Sequence, residues 1–275
     1  GTAVHINAGA AGLALAIVLG KRVGFGKTPL KPHNLPMVMT GAALLWFGWF
    51  GFNAGSAVAS NGTAGLALLN TIGATVAAVL AWLLVEKIRD GHATSLGSAS
   101  GVVAGLVAIT PACAAVDARG ALIIGFVAGA LCALSVGLKF RFGFDDSLDV
   151  VAVHLVGGIV GTLWVGLFGT GVGAFLGEGF EQLGKQAIGV AVVLVYAFGS
   201  GIWVSSSPGW YDTLNRPWWQ PPSAFIGIIW PYNFTVLAIA SYQVSKSLTK
   251  VENIAWLVFF GFSIAAALTW AYQFY

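Results

Sequence analysis

Apolar residues in this chain run in long, nearly unbroken blocks, without the regular polar interruptions of a half-buried strand or an amphipathic helix. Nine such blocks stand out, at about 3–20, 36–59, 64–85, 98–116, 120–138, 149–169, 186–204, 222–244 and 254–274. Each is close to the roughly 20 residues a helix needs to cross about 30 Å of hydrocarbon. Within lipid the backbone must satisfy its own hydrogen bonds, so runs of this length predict helices. The fold class that follows is all-α: a polytopic, multi-pass membrane helix bundle of about nine transmembrane helices.

Composition sharpens the picture. Of 275 residues, 57% are hydrophobic and 8% are charged, and the mean hydropathy is +0.85. A soluble domain carries about 25% charged residues. A net charge of +3 raises the question of nucleic acid, but the thirteen Lys and Arg are scattered over short loops and form no basic patch. No nucleic-acid partner is expected. Cys113 and Cys132 both fall inside predicted spans and read as small packing residues. Apolar sequence begins at Gly1 with no charged leader start, as if the chain opened partway into a helix.

Loop charges suggest an orientation. If the first helix runs inward, the inner loops hold Lys21, Arg22, Lys27, Lys31, Lys87, Arg89, Lys139, Arg141 and Arg216. The outer loops then hold Arg119, Lys185, Lys246 and Lys250. Positive charge collects on the cytoplasmic side of membrane proteins, and the first seven helices obey this better than the last two.

The chain has two textures. Residues 1–200 are rich in Gly and Ala, with Gly51/Gly55, Gly101/Gly105, Gly125/Gly129 and Gly157/Gly161 spaced for close helix packing. Residues 201–275 hold seven of the eleven tryptophans and a polar stretch, Ser205 to Ser223, with Pro208, Pro217, Pro221 and Pro222. Two modules sharing one chain are expected, divided near residue 200.

Ionisable residues inside a bilayer are rare and mark functional positions. His5 and His154 lie on separate predicted spans, and neither has a carboxylate placed for a zinc motif. Each admits two readings, a core imidazole bonded to a carbonyl or a pore residue. His33 and His92 fall in loops. Asp145, Asp146 and Asp149 cluster where the His154 helix begins, suited to capping it; Asp149 also suits a polar network at the pore's inner end. Trp46, Phe47, Trp49, Phe50 and Phe52 crowd one half-span, as core packing or as a lining that attracts a cation. There is no nucleophile–base pair, phosphate loop or metal spacing, so neither an enzyme nor a bound cofactor is expected.

Specific motifs follow in order: Ala3-Val-His-Ile-Asn-Ala-Gly9, His33-Asn-Leu-Pro36, Gly48-Trp-Phe-Gly-Phe-Asn-Ala-Gly-Ser56, Gly105-Leu-Val-Ala-Ile-Thr-Pro-Ala-Cys113, Gly120-Ala-Leu-Ile-Ile-Gly125 and Asp149-Val-Val-Ala-Val-His-Leu-Val-Gly-Gly-Ile-Val-Gly161. Together they resemble the ammonium transporter (Amt/Mep/Rh) family over residues 1 to about 200. The resemblance implies ammonium or ammonia transport by a plasma-membrane homotrimer, each subunit holding a pore between two inverted five-helix halves. It implies that His5 and His154 are the paired pore histidines, Phe52 the inner member of an outer phenylalanine gate and Trp49 the pore-wall tryptophan. Ser56 matches the serine of the outer ammonium site, while Ser100 and Thr110 match polar supports near the tryptophan and behind the pore. The family's first four helices and most of the fifth have no counterpart here, so a closed pore is not expected from this sequence by itself.

The second texture resembles the TspO/tryptophan-rich sensory protein family, through Trp210-Tyr-Asp-Thr-Leu-Asn-Arg-Pro-Trp-Trp-Gln-Pro-Pro222 followed by Gly227 and Trp230. That resemblance implies a tetrapyrrole (porphyrin) pocket with Trp219, Trp230, Asn233 and Trp270 on its walls. Ala224 and Ile228 depart from the pattern, and the family's last two helices are absent. Tryptophans also anchor helices at the membrane interface, so both readings stand beside a third, a truncated fusion without activity.

Overall fold

A computed structural model describes residues 1–28 and 30–205, and among these every regular element is helical. The order is α1 (Thr2–Leu19), α2 (Leu35–Asn53), a 3-10 turn (Gly55–Ala57), α3 (Gly62–Asp90), α4 (Ser95–Ile109), α5 (Ala118–Ser135) and the short α6 (Leu138–Phe142). A π-helical segment (Val151–Val156) then runs directly into α7 (Gly157–Phe168), and a 3-10 turn (Ala174–Leu176) precedes α8 (Glu181–Ser205). The first seven apolar blocks therefore become seven helices, with α6 as an extra helix of little more than one turn. The blocks 222–244 and 254–274, with Trp219, Trp230, Asn233 and Trp270, lie outside the described residues.

Four of these elements are long and apolar enough to cross a membrane by length and composition: Leu35–Ala57, Gly62–Asp90, Ala118–Phe142 and Val151–Phe168. The apolar helices α1 and α4 are shorter.

Local chemistry sets the helix starts. Asn34, Asn61, Thr94 and Asp117 each accept, through the side-chain oxygen, a hydrogen bond from the backbone N–H three residues on, at 3.0, 3.0, 2.9 and 2.7 Å. These are N-caps, which satisfy donors that helix geometry leaves free. Helix α4 ends at Ile109, and Thr110, still in the right-handed helical region, leads into Pro111 and a turn.

Packing rests on small residues. With no hydrophobic force between helices in lipid, association depends on close van der Waals contact. Gly125 and Gly129 of α5 lie directly on the backbone of α3 at Ala74 and Ala78, where a Cβ would overlap the carbonyl oxygens. Gly101 and Gly105 of α4 press on the same helix near Val79 and Thr75, and Gly161 of α7 presses on Ala108 of α4. Gly55 faces open space, so the predicted Gly51/Gly55 pair does not bring a helix up to Gly55; α2 ends at Asn53 and the chain turns away.

Loops connect at two ends. At one, Arg22 beyond α1 grips Asp145 by Nε to Oδ2 at 2.8 Å and Nη2 to Oδ1 at 2.6 Å, while its backbone N–H also donates to Oδ2. The Asp145 side chain is buried and Arg22 is half exposed. The hydrogen-bonded guanidinium holds the Asp145 carboxyl below the usual carboxylate range. At the other end, the Thr170 N–H donates to the Ala115 carbonyl at 2.8 Å, and Asn70 donates to the carbonyls of Cys113 and Val116.

Candidate functional site

Helix α1 and the π-helical segment cross where both are thin. A Cβ on Gly9 would overlap the backbone of Leu155, and one on Gly158 would lie 3.1 Å from the Cβ of His5. This approach brings His5 and His154 together, with Nδ1 atoms 3.4 Å apart and ring centroids 5.5 Å apart. One Nδ1 donates and the other accepts, so the two rings hold opposite tautomers. His5 is 3% exposed, and its Nε2 is buried with no hydrogen-bond partner among the described residues.

The π-helical turn carrying His154 is a feature the sequence reading missed. Such turns insert one residue into a helix and are frequent at functional sites. Here the turn follows Asp149, whose φ is +57°, a left-handed conformation unusual for a residue other than glycine. Asp146 caps the segment by accepting from the Val151 N–H at 2.7 Å. Asp149 pairs with Lys139 at 2.6 Å. The three aspartates thus have separate jobs: Asp145 holds the end of α1, Asp146 caps the His154 helix and Asp149 binds a lysine.

Aromatic rings close on the histidine pair from α2. Trp49 stacks on His5, with centroids 5.4 Å apart and planes 19° apart. Phe52 meets His5 edge-on at 6.3 Å and Trp49 at 5.7 Å. Trp49 Nε1 donates to Thr110 Oγ1 at 2.8 Å, and that hydroxyl donates onward to the Leu106 carbonyl at 2.7 Å. The chain Leu106–Thr110–Trp49–His5 therefore fixes the imidazole plane from α4. Phe52 is about half exposed, at 46%, and Ser56, in the turn after α2, donates to the Phe52 carbonyl at 2.5 Å.

Ser100 and Asp149 do not join this cluster. They line a cavity of about 110 Å³ with Trp82, Glu86, Arg89 and Gly97. Glu86 is a second residue the sequence reading passed over. Its buried carboxylate accepts from Trp82 Nε1 at 3.3 Å, from the Thr94 N–H at 2.8 Å and from the Thr94 hydroxyl, tying the end of α3 to the start of α4. A lone carboxylate at the end of an apolar run, followed by Thr94 eight residues on, was the available signal. Among the described residues no group of three His, Cys, Asp or Glu is arranged for a metal ion.

Comparison with known proteins identifies the family. The Ammonium Transporter Family model matches residues 1–206, and the TspO/MBR family model matches residues 187–275. The ammonium transporter of Mycobacterium tuberculosis is 63% identical over 209 residues, covering 72% of this chain and 44% of that protein. The ammonium transporter of Bacillus subtilis is 45% identical over 206 residues, covering 72% of this chain and 50% of that protein. Among solved structures, Mep2 of Saccharomyces cerevisiae superposes with a TM-score of 0.69 at 34% identity, over 75% of this chain and 51% of that one. A protein described as Sensor Amt Protein gives the same TM-score and identity over 74% and 52%. The chain spans about half the length of the curated relatives it matches. Those relatives are transporters rather than enzymes, and the apolar helices make this a membrane protein. On the family model over residues 1–206, and on relatives that share its helices and their order, the chain belongs to the ammonium transporter family.

Proposed function

We propose that residues 1–200 carry one wall of an ammonium or ammonia path across the membrane, lined by His5, His154, Trp49 and Phe52. The observation behind this reading is the imidazole pair, in contact through Nδ1 while His5 Nε2 stays buried and unpartnered. An orphaned polar atom in an apolar setting is costly unless something hydrogen-bonds to it. The shared Nδ1 contact leaves one ring with an acceptor Nε2 and the other with a donor Nε2–H. Ammonia, which both donates and accepts, complements that pair.

Charge transfer through such a path is unfavourable, because an ammonium ion leaving water for an apolar pore loses its hydration. The aromatic faces of Trp49 and Phe52 and the hydroxyl of Ser56 replace part of that shell at the entry. Thr110 keeps the Trp49 indole in place, and Ser100 with Asp149 forms the polar inner end. By family analogy the working unit is a homotrimer in the plasma membrane.

Conductance in proteoliposomes tests this. An inward methylammonium-sensitive ammonia flux, abolished by His154→Ala in a protein that still inserts, is the expected result. Flux equal in parent and variant would remove the histidines from the path.

The TspO/MBR match over 187–275 favours a second activity for residues 201–275, tetrapyrrole binding by Trp219, Trp230, Asn233 and Trp270. The two family matches overlap at 187–206, a range that takes in most of α8, so we read that helix as both the end of the first module and the start of the second. Saturable quenching of tryptophan fluorescence by protoporphyrin, lost in Trp230→Phe, is expected; unsaturable quenching would exclude it.

A further inference from the structure

Near the end of α3 the buried carboxylate of Glu86 divides its two oxygens between two helices. Oε2 accepts from the Thr94 N–H at 2.8 Å, and the Thr94 hydroxyl lies 3.0 and 3.1 Å from the two oxygens. The carboxylate presses on Gly97 in the first turn of α4, where a Cβ would overlap both oxygens. Negative charge at a helix N-terminus is favourable, and these contacts account for the tie between α3 and α4. They leave the remaining bond unexplained. Oε1 also accepts from Trp82 Nε1 at 3.3 Å, a residue four positions back on the same helix, where no tie is needed.

Trp82 leads back to the histidines. Its buried ring belongs to one packed cluster with Val107, Cys132 and Val153, and Trp49 lies against the same cluster. Val153 is the neighbour of His154 in the π-helical turn, and Trp49 is the ring stacked on His5. Both imidazoles are therefore backed, at one remove, by the Trp82 indole. Trp82 also lines the cavity of about 110 Å³ beside Ser100, so the ring has room to turn once its N–H is released. A buried N–H without an acceptor costs free energy, which drives such a turn.

We infer that Glu86 is a positioning residue for the histidine pair, acting through Trp82, which it holds as the backing of Val153 and Trp49. This deepens the reading of His5 and His154 as path residues and rests on it for its effect on flux. Glutamine separates the two roles of the carboxylate. In Glu86→Gln a single amide oxygen remains, and the shorter bond, to the Thr94 N–H, keeps it. The amide NH2 then faces the indole N–H, donor against donor. Trp82 is released while α4 stays tied. Thr94→Val does the reverse: it removes a hydroxyl from the tie and leaves the indole held.

Nitrogen NMR of the full chain in lipid, with isotope-labelled histidine, tests this beside ammonia flux per inserted protein. The exposed His33 and His92 serve as internal references. Glu86→Gln is expected to shift the ring signals of the buried pair and to lower flux about fivefold, the scale of coupling within one contact network. Trp82→Phe, which lacks the N–H, is expected to match it, and the double variant to be no worse than either alone. Thr94→Val is expected to lower the unfolding temperature and leave histidine signals and flux unchanged. Unshifted histidine signals in Glu86→Gln, equal shifts in Thr94→Val, or additive losses in the double variant would overturn the inference. A parent without flux would overturn the path alone, and the histidine spectra would still decide the role of Glu86.

Discussion

At the scale of single residues, the Trp49–Thr110 hydrogen bond is the most exposed to test. Thr110 has two jobs at once, accepting from the indole and donating to Leu106. Valine has nearly the same shape but no hydroxyl, so Thr110→Val leaves the indole N–H unpaired, a loss of about 1–3 kcal/mol. The Trp49 ring that stacks on His5 is then free to tilt. Lower unfolding temperature in detergent and reduced ammonia flux are expected for Thr110→Val, with Thr110→Ser close to the parent in both. A valine variant as stable and as active as the parent would show the bond to be idle. The reach of the sequence is plain here too. Thr110 was identified through its motif, and its bond to the Leu106 carbonyl is local to α4, but its partner Trp49 depends on how α2 crosses α4, which no local pattern records. Glu86 was missed because Thr94 reaches it only after the α3–α4 loop closes, although Trp82 already stands one turn before it on α3.

At the scale of elements, the helices were legible because lipid allows so few alternatives. A long apolar block must be a helix, and Asn34, Asn61, Thr94 and Asp117 mark the starts by ordinary capping chemistry. The π-helical turn at Val151–Val156 was not legible, since one inserted residue leaves hydropathy unchanged. Glycine spacing was legible in part. Gly101/Gly105 and Gly125/Gly129 found the backbone of α3, whereas Gly55 found nothing. The same asymmetry gives a paired prediction. Gly9→Ala places a methyl group into the backbone of Leu155, and overpacking of this kind costs about 1–3 kcal/mol. Relief requires α1 to move off the π segment, which also separates the two imidazoles. Gly55→Ala meets open space and is expected within about 0.5 kcal/mol of the parent. Equilibrium unfolding in detergent distinguishes them, and ammonia flux should fall for Gly9→Ala alone. Equal effects at both positions would mean that the α1–α7 approach is not tight.

At the scale of the whole described unit, charge is sorted between the two ends of the bundle. Lys21, Arg22, Lys27, Lys31, Lys87, Arg89, Lys139 and Arg141 belong to one end. The Arg22–Asp145 clamp and the bond from Arg89 to the Ala133 carbonyl tie those loops together. Arg119 and Lys185 are the cations of the opposite end, where Thr170 bonds to Ala115. Cations are retained on the cytoplasmic side during insertion, so the clamp end is expected to face inward, and Phe52 and Ser56 outward. The buried native thiols, Cys113 and Cys132, make this measurable with single introduced cysteines. Ser60→Cys and His92→Cys fall on exposed turns at the two ends. A membrane-impermeant maleimide is expected to label Ser60→Cys in intact cells and His92→Cys only after the membrane is opened. The reverse pattern would turn the bundle over. On the path proposed above, it would make Ser100 and Asp149, rather than Phe52 and Ser56, the first groups an incoming ammonium ion meets.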